Sequence, residues 1–574
     1  MFKKNSDHVQ KNLFGLFNSL PPSLQNDVTA SSEYHFYQLI FCNIPEDLFA
    51  KLYSDKKSRP NAPINAMVAS FILMQRNRWT YEQLFDAIKF NILTKIALGL
   101  DAIDDIPFCE ASLFNFQNRL NDHFEQTGEN LLEQVFDALT EDQLQTLKLK
   151  TNIQRTDSFQ TASNIWNYSR LQLLIELVIR LHRVLSAEDQ QRFHEKFQAY
   201  INKSSGQYIY HLHASDVPYE LEKIAQLYHW IYDNLSTTYA ELEIFKILER
   251  VYTEHFTVVA EKITVNSPDQ LHSGCLQSPD DVDATYRDKK NGNTSKGQAI
   301  NVTETAHPDN PINLVTDVAV NPNNIDDSVV LGERLDRVKQ KTPDLDELHF
   351  DGGYGSSDND EQFVKYGITL IQTAVRGRQA AVSIEIEQIS EHDYQVSCPQ
   401  QTVRSQPTRQ RHKAEFDLKI CHHCPHRKQC PAITMKQYKV FYFSHEDYLA
   451  RKRQHRIHEI PKERRRLRTN VEATVKEFVC KMPGKKLKVR GAFKAAVFAY
   501  SVAIAVNFGR IYRLILTDPD YFKAFFCFVF KIVNEPVNFM KFLYRLCVLQ
   551  LILTENSLST LPPAEKWRFK NCRF

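Results

Sequence analysis

Three acidic residues far apart in the chain, Asp157, Asp351 and Glu472, stand in surroundings that suit phosphodiester chemistry. Breaking or joining such a bond at neutral pH needs an activated oxygen nucleophile and a stabilised leaving oxygen. Two divalent ions about 4 Å apart do both, held by carboxylates from separate elements. Mg²⁺ (or Mn²⁺) keeps water and substrate oxygens among its ligands, so few protein acids suffice. Asp157 follows Arg155-Thr156. Asp351 precedes Gly352-Gly353, which let a ligand approach the backbone, and Glu472 has Arg468 and Lys476 one helical turn away on either side. Each acid also has a plain structural reading: a turn residue for Asp351, an i,i+4 ion-pair ladder for Glu472.

A second set is made of sulfur. Cys398, Cys421, Cys424 and Cys430 follow the spacing C-x22-C-x2-C-x5-C. Four thiolates suit tetrahedral Zn²⁺ in a closed, structural site. His422, His423 and His426 are alternative ligands, and reduced surface thiols are the reading without metal. The other seven of the eleven cysteines are scattered, as buried thiols of a reducing compartment are.

The formal net charge of +2 conceals its distribution. Between Arg404 and Lys494 there are 25 Lys and Arg against 8 Asp and Glu, so the rest of the chain is acidic. That concentration points to a polyanion, because phosphate neutralisation supplies much of nucleic-acid affinity; a solvated basic helical face is the alternative. Arg468, Lys476 and Arg490 are the residues placed near phosphates, with solvated surface as the plain reading of each. No secretory leader follows Met1-Phe2-Lys3-Lys4, and Ala495 to Val506 and Tyr521 to Val533 are too short or too broken by Lys to span a bilayer. The expectation is a cytosolic protein without a membrane partner.

The elements that would position these residues divide the chain into several domains. Residues 1–44 form an N-terminal extension. A helical domain follows over 45–125, with Arg59-Pro60-Asn61-Ala62-Pro63 marking a helix start. Leu147, Leu149, Thr151, Ile153, Arg155 and Asp157 share one parity, which predicts a strand ending on the carboxylate. Leu171, Leu174, Ile175, Val178, Leu181 and Leu185 make an apolar helical stripe that opens a helical insertion over 161–266. Strands over Gln298 to Thr305 and Ile312 to Val320, a helix from Asp326 to Lys341 and a strand from Glu347 to Asp351 come next. Together with the Asp157 strand, these suit an α/β ribonuclease H-like catalytic core over 145–160 and 267–375. A basic, β-leaning, cysteine-rich zinc insert over 376–445 precedes the third-acid and core helices over 446–516, with a break at Pro461. The tail, 517–574, is rich in Phe and Cys and has no assigned role.

Several of these segments, in order, resemble the DDE transposases of bacterial insertion sequences. Leu52-Tyr53, Arg59-Pro60, Trp79-Thr80-Tyr81-Glu82-Gln83-Leu84, Phe90-Asn91 and Ala97-Leu98-Gly99-Leu100-Asp101 resemble the family's helical N-terminal domain. Arg155-Thr156-Asp157-Ser158, with Ser163-Asn164-Ile165 and Arg170-Leu171, is similar to its first-acid block, and Ser278-Pro279-Asp280-Asp281-Val282-Asp283-Ala284 to a further signature. Phe350-Asp351-Gly352-Gly353-Tyr354 resembles the second-acid block; Arg468, Glu472 and Arg490-Gly491 resemble the third-acid helix and the segment after it. The resemblance spans about residues 45 to 515. It implies Asp157, Asp351 and Glu472 as the catalytic acids, DNA cleavage at the element's ends and strand transfer to target DNA. It further implies terminal inverted repeats and target duplex as partners, a homo-oligomer on DNA, and a place in the bacterial cytoplasm with the nucleoid. The N-terminal domain is the candidate reader of the ends. Two positions depart from related families: Arg465 stands where a Tyr is frequent and Val479 where a Lys is. Glu459, Glu463 and Glu477 are therefore alternatives to Glu472, and Asp283 an alternative to Asp157. A decayed, non-catalytic DNA-binding relative and a nuclease without strand transfer are the rival functions.

Overall fold

The computed structural model describes residues 1–518 except 9–14, 55, 57, 58, 260, 261, 290–292, 374–381, 391 and 392; the tail from 519 onward lies outside the described residues. β1 (Ile153–Gln160) is the strand around which the rest is arranged. It starts later than its sequence parity suggests. Lys148 takes a left-handed conformation (φ 49°) that ends the preceding helix, Leu131–Thr146. Leu147 and Leu149 pack instead against Leu314, Ile511 and Leu514, and Asp157 falls mid-strand.

After β1 the chain leaves for the insertion, whose helices run from Arg170–Val184 to Glu243–His255. Its apolar stripe closes on itself in a core of Leu174, Ile175, Val178, Tyr228, Ile231 and Leu248. The insertion ends in a hairpin of β2 (Phe256–Val259) and β3 (Lys262–Val265).

The chain then re-enters the sheet through β4 (Thr285–Lys289), β5 (Asn293–Thr305) and β6 (Val315–Pro322). It crosses over by the helix Asp327–Lys341 to β7 (Glu347–Phe350), then by Ser357–Tyr366 to β8 (Thr369–Gln372). The strand order is β4-β5-β1-β7-β8 with β6 also on β5; β5 and β6 are antiparallel neighbours, whereas β7 and β8 run parallel to β1. Register matters here: Ile153 faces Glu347 and Arg155 faces His349, so the same spacing carried two residues on sets Asp351 level with Asp157.

Alternation along β1 sends Arg155, Asp157 and Phe159 to one face and Gln154, Thr156 and Ser158 to the other. The first face meets Val471–Val479 and the long helix Ala492–Thr517, with Phe159 against Phe478 in an edge-to-face contact. The second meets Asp327–Lys341 through the Ser158 to Asp327 hydrogen bond, and the residue after that helix through Gln154 to Thr342. Both faces are therefore covered, as a sheet with parallel strands requires.

The helical N-terminal unit is larger than the 45–125 read from sequence. Pro22–Ala30 and Ser32–Leu39 precede it, and Phe36 and Phe41 are fully buried in the same core as Met67, Phe71, Leu84 and Phe136. Phe36, Ile40, Phe41 and Ile44 thus belong to this core and not to an extension. Ala492–Thr517 runs through it. Among the described residues it is the helix long and apolar enough to cross a membrane, but 78% of its most apolar window is buried within the protein.

The segment after β8 folds as a second sheet of β9 (Glu385–Gln388), β10 (Tyr394–Cys398), β11 (Gln401–Pro407), β12 (His412–Asp417), β13 (Ile433–Thr434) and β14 (Tyr438–Phe443). Its order is β13-β14-β12-β11-β10-β9. The charged stretch beyond it is three helices, His445–Glu459, Lys462–Thr469 and Val471–Val479, broken at Pro461 as expected and again at Asn470.

Candidate active site

One guanidinium gathers the three acids. Arg468 Nη2 lies 3.1 Å from Asp157 Oδ2 and 3.8 Å from Asp351 Oδ2, and Nη1 lies 3.7 Å from Glu472 Oε1. Asp157 and Asp351 sit on neighbouring parallel strands or just beyond them, while Arg468 and Glu472 come from the helices on either side of Asn470. The gradient of exposure runs outward: the Asp157 side chain is 13% exposed, Asp351 41% and Glu472 66%.

A buried ion network holds those helices against the sheet. Arg155, two residues before Asp157 and on the same face, pairs with Glu304 at 2.6 Å and donates from Nη1 to the carbonyl of Leu467. Glu304 has no exposed surface; it also accepts from the Thr474 hydroxyl and pairs with Arg510 of the helix Ala492–Thr517. One carboxylate between two guanidiniums thus ties β1, β5, both third-acid helices and Ala492–Thr517 together. Breaking such a buried network leaves a charge unpaired, at a cost of about 3–5 kcal/mol. Sequence alone does not single out Glu304, which reads there as one polar residue at the end of a strand; its signal is the Arg155 parity with Asp157.

Burial dominates the electrostatics. It pushes the Asp157 carboxyl up to about 6; Arg468 and the Ser158 N–H oppose this, while Asp351 and Asp327 add to it. Asp327 stands in the first turn of its helix and accepts the Ser158 hydroxyl at 2.7 Å. Asp351 Oδ1 accepts the Gly353 N–H at 2.7 Å, which fixes the carboxylate at the turn. Tyr354, buried beside them, accepts from the Asn301 amide, and burial holds its phenol well above the usual range.

This donor set fits a divalent cation. It is all hard oxygen, it comes from separate elements, and the most buried carboxyl is short of positive charge even with an arginine beside it. Arg468, read from the sequence as a phosphate contact, is turned toward the acids here, with its Nε buried and unpartnered.

The alternatives are placed elsewhere. Asp283 accepts the Ala492 N–H at 2.8 Å and caps the long helix. Glu477 pairs with Arg510 and Arg513. Glu459 and Glu463 are exposed on the preceding helices. The departing positions are structural: Arg465 donates to the Ile460 carbonyl, and Val479 packs on the core. Lys476 is exposed. Arg490 donates to the Asn164 carbonyl at 2.7 Å and lies 3.6 Å from Asp280, beside the chain that leaves β1.

The four clustered cysteines share one cavity wall, although among the described residues no three of their sulfurs lie within 4.8 Å of one another. Cys398 at the end of β10, Cys421, Cys424 and Cys430 line one small cavity of about 20 Å³ with His426, while His422 and His423 do not line it. Burial raises the Cys421 thiol, and the nearby Cys398 and Cys430 raise it further.

The three acids converge on Arg468 beside inner strands of a mixed α/β core. Two family models narrow this: residues 27–119 match "Transposase domain (DUF772)" and residues 392–512 match "Transposase DDE domain". The two matches, N-terminal then C-terminal, bear out the resemblance to a DDE transposase of an insertion sequence. The second implies a ribonuclease H-like core and DNA binding, in a family that typically uses divalent metal. It contains Glu472 and all four clustered cysteines, whereas Asp157 and Asp351 lie outside both matches. The first begins at residue 27, within the helices that precede the expected domain start. No curated protein and no solved structure matches the chain.

Proposed function

We propose that the protein cleaves DNA at the ends of its element and joins the freed 3′ hydroxyls to target DNA, with Asp157, Asp351 and Glu472 holding two Mg²⁺ or Mn²⁺ ions. The observation that carries this reading is the convergence of all three acids on Arg468. When bound, the ions supply activation of the attacking oxygen and neutralise charge at the leaving oxygen.

The protein's part is placement and charge. Register sets the two aspartates side by side, and the Arg155–Glu304–Arg510 network fixes the helix that carries Glu472. Arg468 supports the acids in the metal-free chain and is free to meet a phosphate once cations take over that charge. Lys476 and Arg490 neutralise phosphates flanking the site. The basic segment from Arg404 to Lys494 tracks the DNA backbone, and the helical N-terminal unit reads the terminal inverted repeats. The chain acts as a homo-oligomer on DNA. Cys398, Cys421, Cys424 and Cys430 hold a structural Zn²⁺ that stiffens the insert, their lining of one cavity being the support for it.

A strand-transfer assay with Mg²⁺ or Mn²⁺ on end-containing duplex tests the reading. Cleavage followed by joining is expected. Cleavage without joining supports a nuclease, and binding alone supports a decayed relative. Asp351→Asn is expected to keep DNA affinity and lose cleavage, because the site loses an anionic ligand; cleavage at the parental rate would refute the assignment.

A further inference from the structure

Where the helical insertion returns to the sheet, three chemically different donors meet. Glu254 near the end of the helix Glu243–His255, and His272 and Cys275 in the turn that leads toward β4, present ligand atoms all within 4.8 Å of one another. The spacing H-x2-C is that of a tight metal turn: the Cys275 N–H donates to the His272 carbonyl at 3.0 Å, with Gly274 between.

The donors are held in place by groups that are not ligands. Arg250 Nε donates to Glu254 Oε1 at 2.8 Å, and its Nη2 donates to the Gly274 carbonyl at 2.9 Å, so one guanidinium orients both the acid and the turn. The Leu276 N–H donates to Glu254 Oε2, also at 2.8 Å. Such outer hydrogen bonds orient ligands in metal sites.

A second observation comes from the neighbouring wall. His272 and Cys275 line a cleft of about 650 Å³, and so does His255. His255 Nδ1 accepts from Arg170 Nε at 3.2 Å, which leaves the proton on Nε2, and that atom is buried without a partner. A water held in the cleft would answer this orphan donor.

We infer that Glu254, His272 and Cys275 bind a Zn²⁺ ion whose fourth position is a water facing the cleft. A nitrogen, an oxygen and a sulfur donor suit Zn²⁺ and not Mg²⁺, and the carboxylate with the thiolate balances its charge. Binding expels the Cys275 thiol proton to solvent. The ion pins the last insertion helix to the chain entering the sheet, apart from both the acidic site and the four-cysteine cavity.

The test is metal content of the full chain purified in reducing buffer and equilibrated with Zn²⁺. His272 is exposed, so His272→Ala leaves the core packing intact. This variant and Cys275→Ser should each lose about one zinc per chain, and the double variant no more than either. Cys424→Ser reports on the other cavity and should leave this ion in place. With Co²⁺ as probe, part of the thiolate charge-transfer absorption should be lost in Cys275→Ser, and the same part should be lost when Cys275→Ser is added to Cys424→Ser. Parental zinc content in both single variants, or cobalt absorption left unchanged by Cys275→Ser, would overturn the assignment.

Discussion

Asp157→Asn should make the metal-free protein more stable while abolishing cleavage. Burial moves this carboxyl from its usual 3.8 up to about 6. The folded state therefore holds the proton more tightly than the unfolded one, and stability falls as the pH rises through that interval. The cost is absent below 3.8 and complete above about 6. Each tenfold change in proton affinity is worth about 1.4 kcal/mol, so the ionised carboxylate costs about 3 kcal/mol at pH 8. Asparagine carries no charge, and its single carbonyl oxygen can accept from Ser158 N–H or from Arg468, which the carboxylate meets with Oδ1 and Oδ2 respectively. In EDTA at pH 8 the variant should gain up to about 3 kcal/mol, and at pH 5 about half of that. Urea unfolding at the two pH values measures this from the shift in midpoint. Adding Mg²⁺ should stabilise the parent and leave the variant unchanged, since only the parent's native state binds the ion. A variant no more stable than the parent at pH 8, or one with an equal gain at pH 5, would refute burial as the governing effect.

Arg468→Gln removes the charge that opposes this effect, so the Asp157 carboxyl should rise further; the stability lost on raising the pH should then extend to a more alkaline limit in the same urea series. Glu304→Gln should cost about 3–5 kcal/mol and with it cleavage, because Arg155 and Arg510 are left sharing a neutral partner in a buried place; a variant within about 1 kcal/mol of the parent would show that the network does not hold the helices. Lys476→Ala and Arg490→Ala should each weaken DNA binding without regard to sequence and lower the salt slope by about 1, measured by titration at several salt concentrations. An unchanged slope would remove that residue from the phosphate contacts.

Much of the site is legible in the sequence because short motifs mark it. The glycines behind Asp351, the basic helix around Glu472 and the spaced cysteines are all local signals; the acids lie around Arg468, and the cysteines line one cavity. The hidden part is long-range. The extent of the N-terminal core depends on Ala492–Thr517 passing through it, which no local pattern reports. The parity running back from Asp157 to Leu147 reads as one strand, but a single left-handed residue at Lys148 divides it. Glu304 gives no local sign, since its partners lie some 150 residues before and 200 after it. The cluster at Glu254 likewise needs the hairpin β2–β3 to fold back before its donors meet.

The interruption between β1 and its partners has a consequence for synthesis. β1 is an inner strand, yet β5 begins at Asn293 and β7 at Glu347, so neither neighbour exists when it leaves the ribosome. At about 5–20 residues per second it waits roughly 7–27 s with both edges unsatisfied. The insertion, whose core is its own, can fold during that interval and stand beside the exposed strand. A nascent chain stalled before Asn293 should therefore be the form most prone to aggregate and most dependent on chaperones.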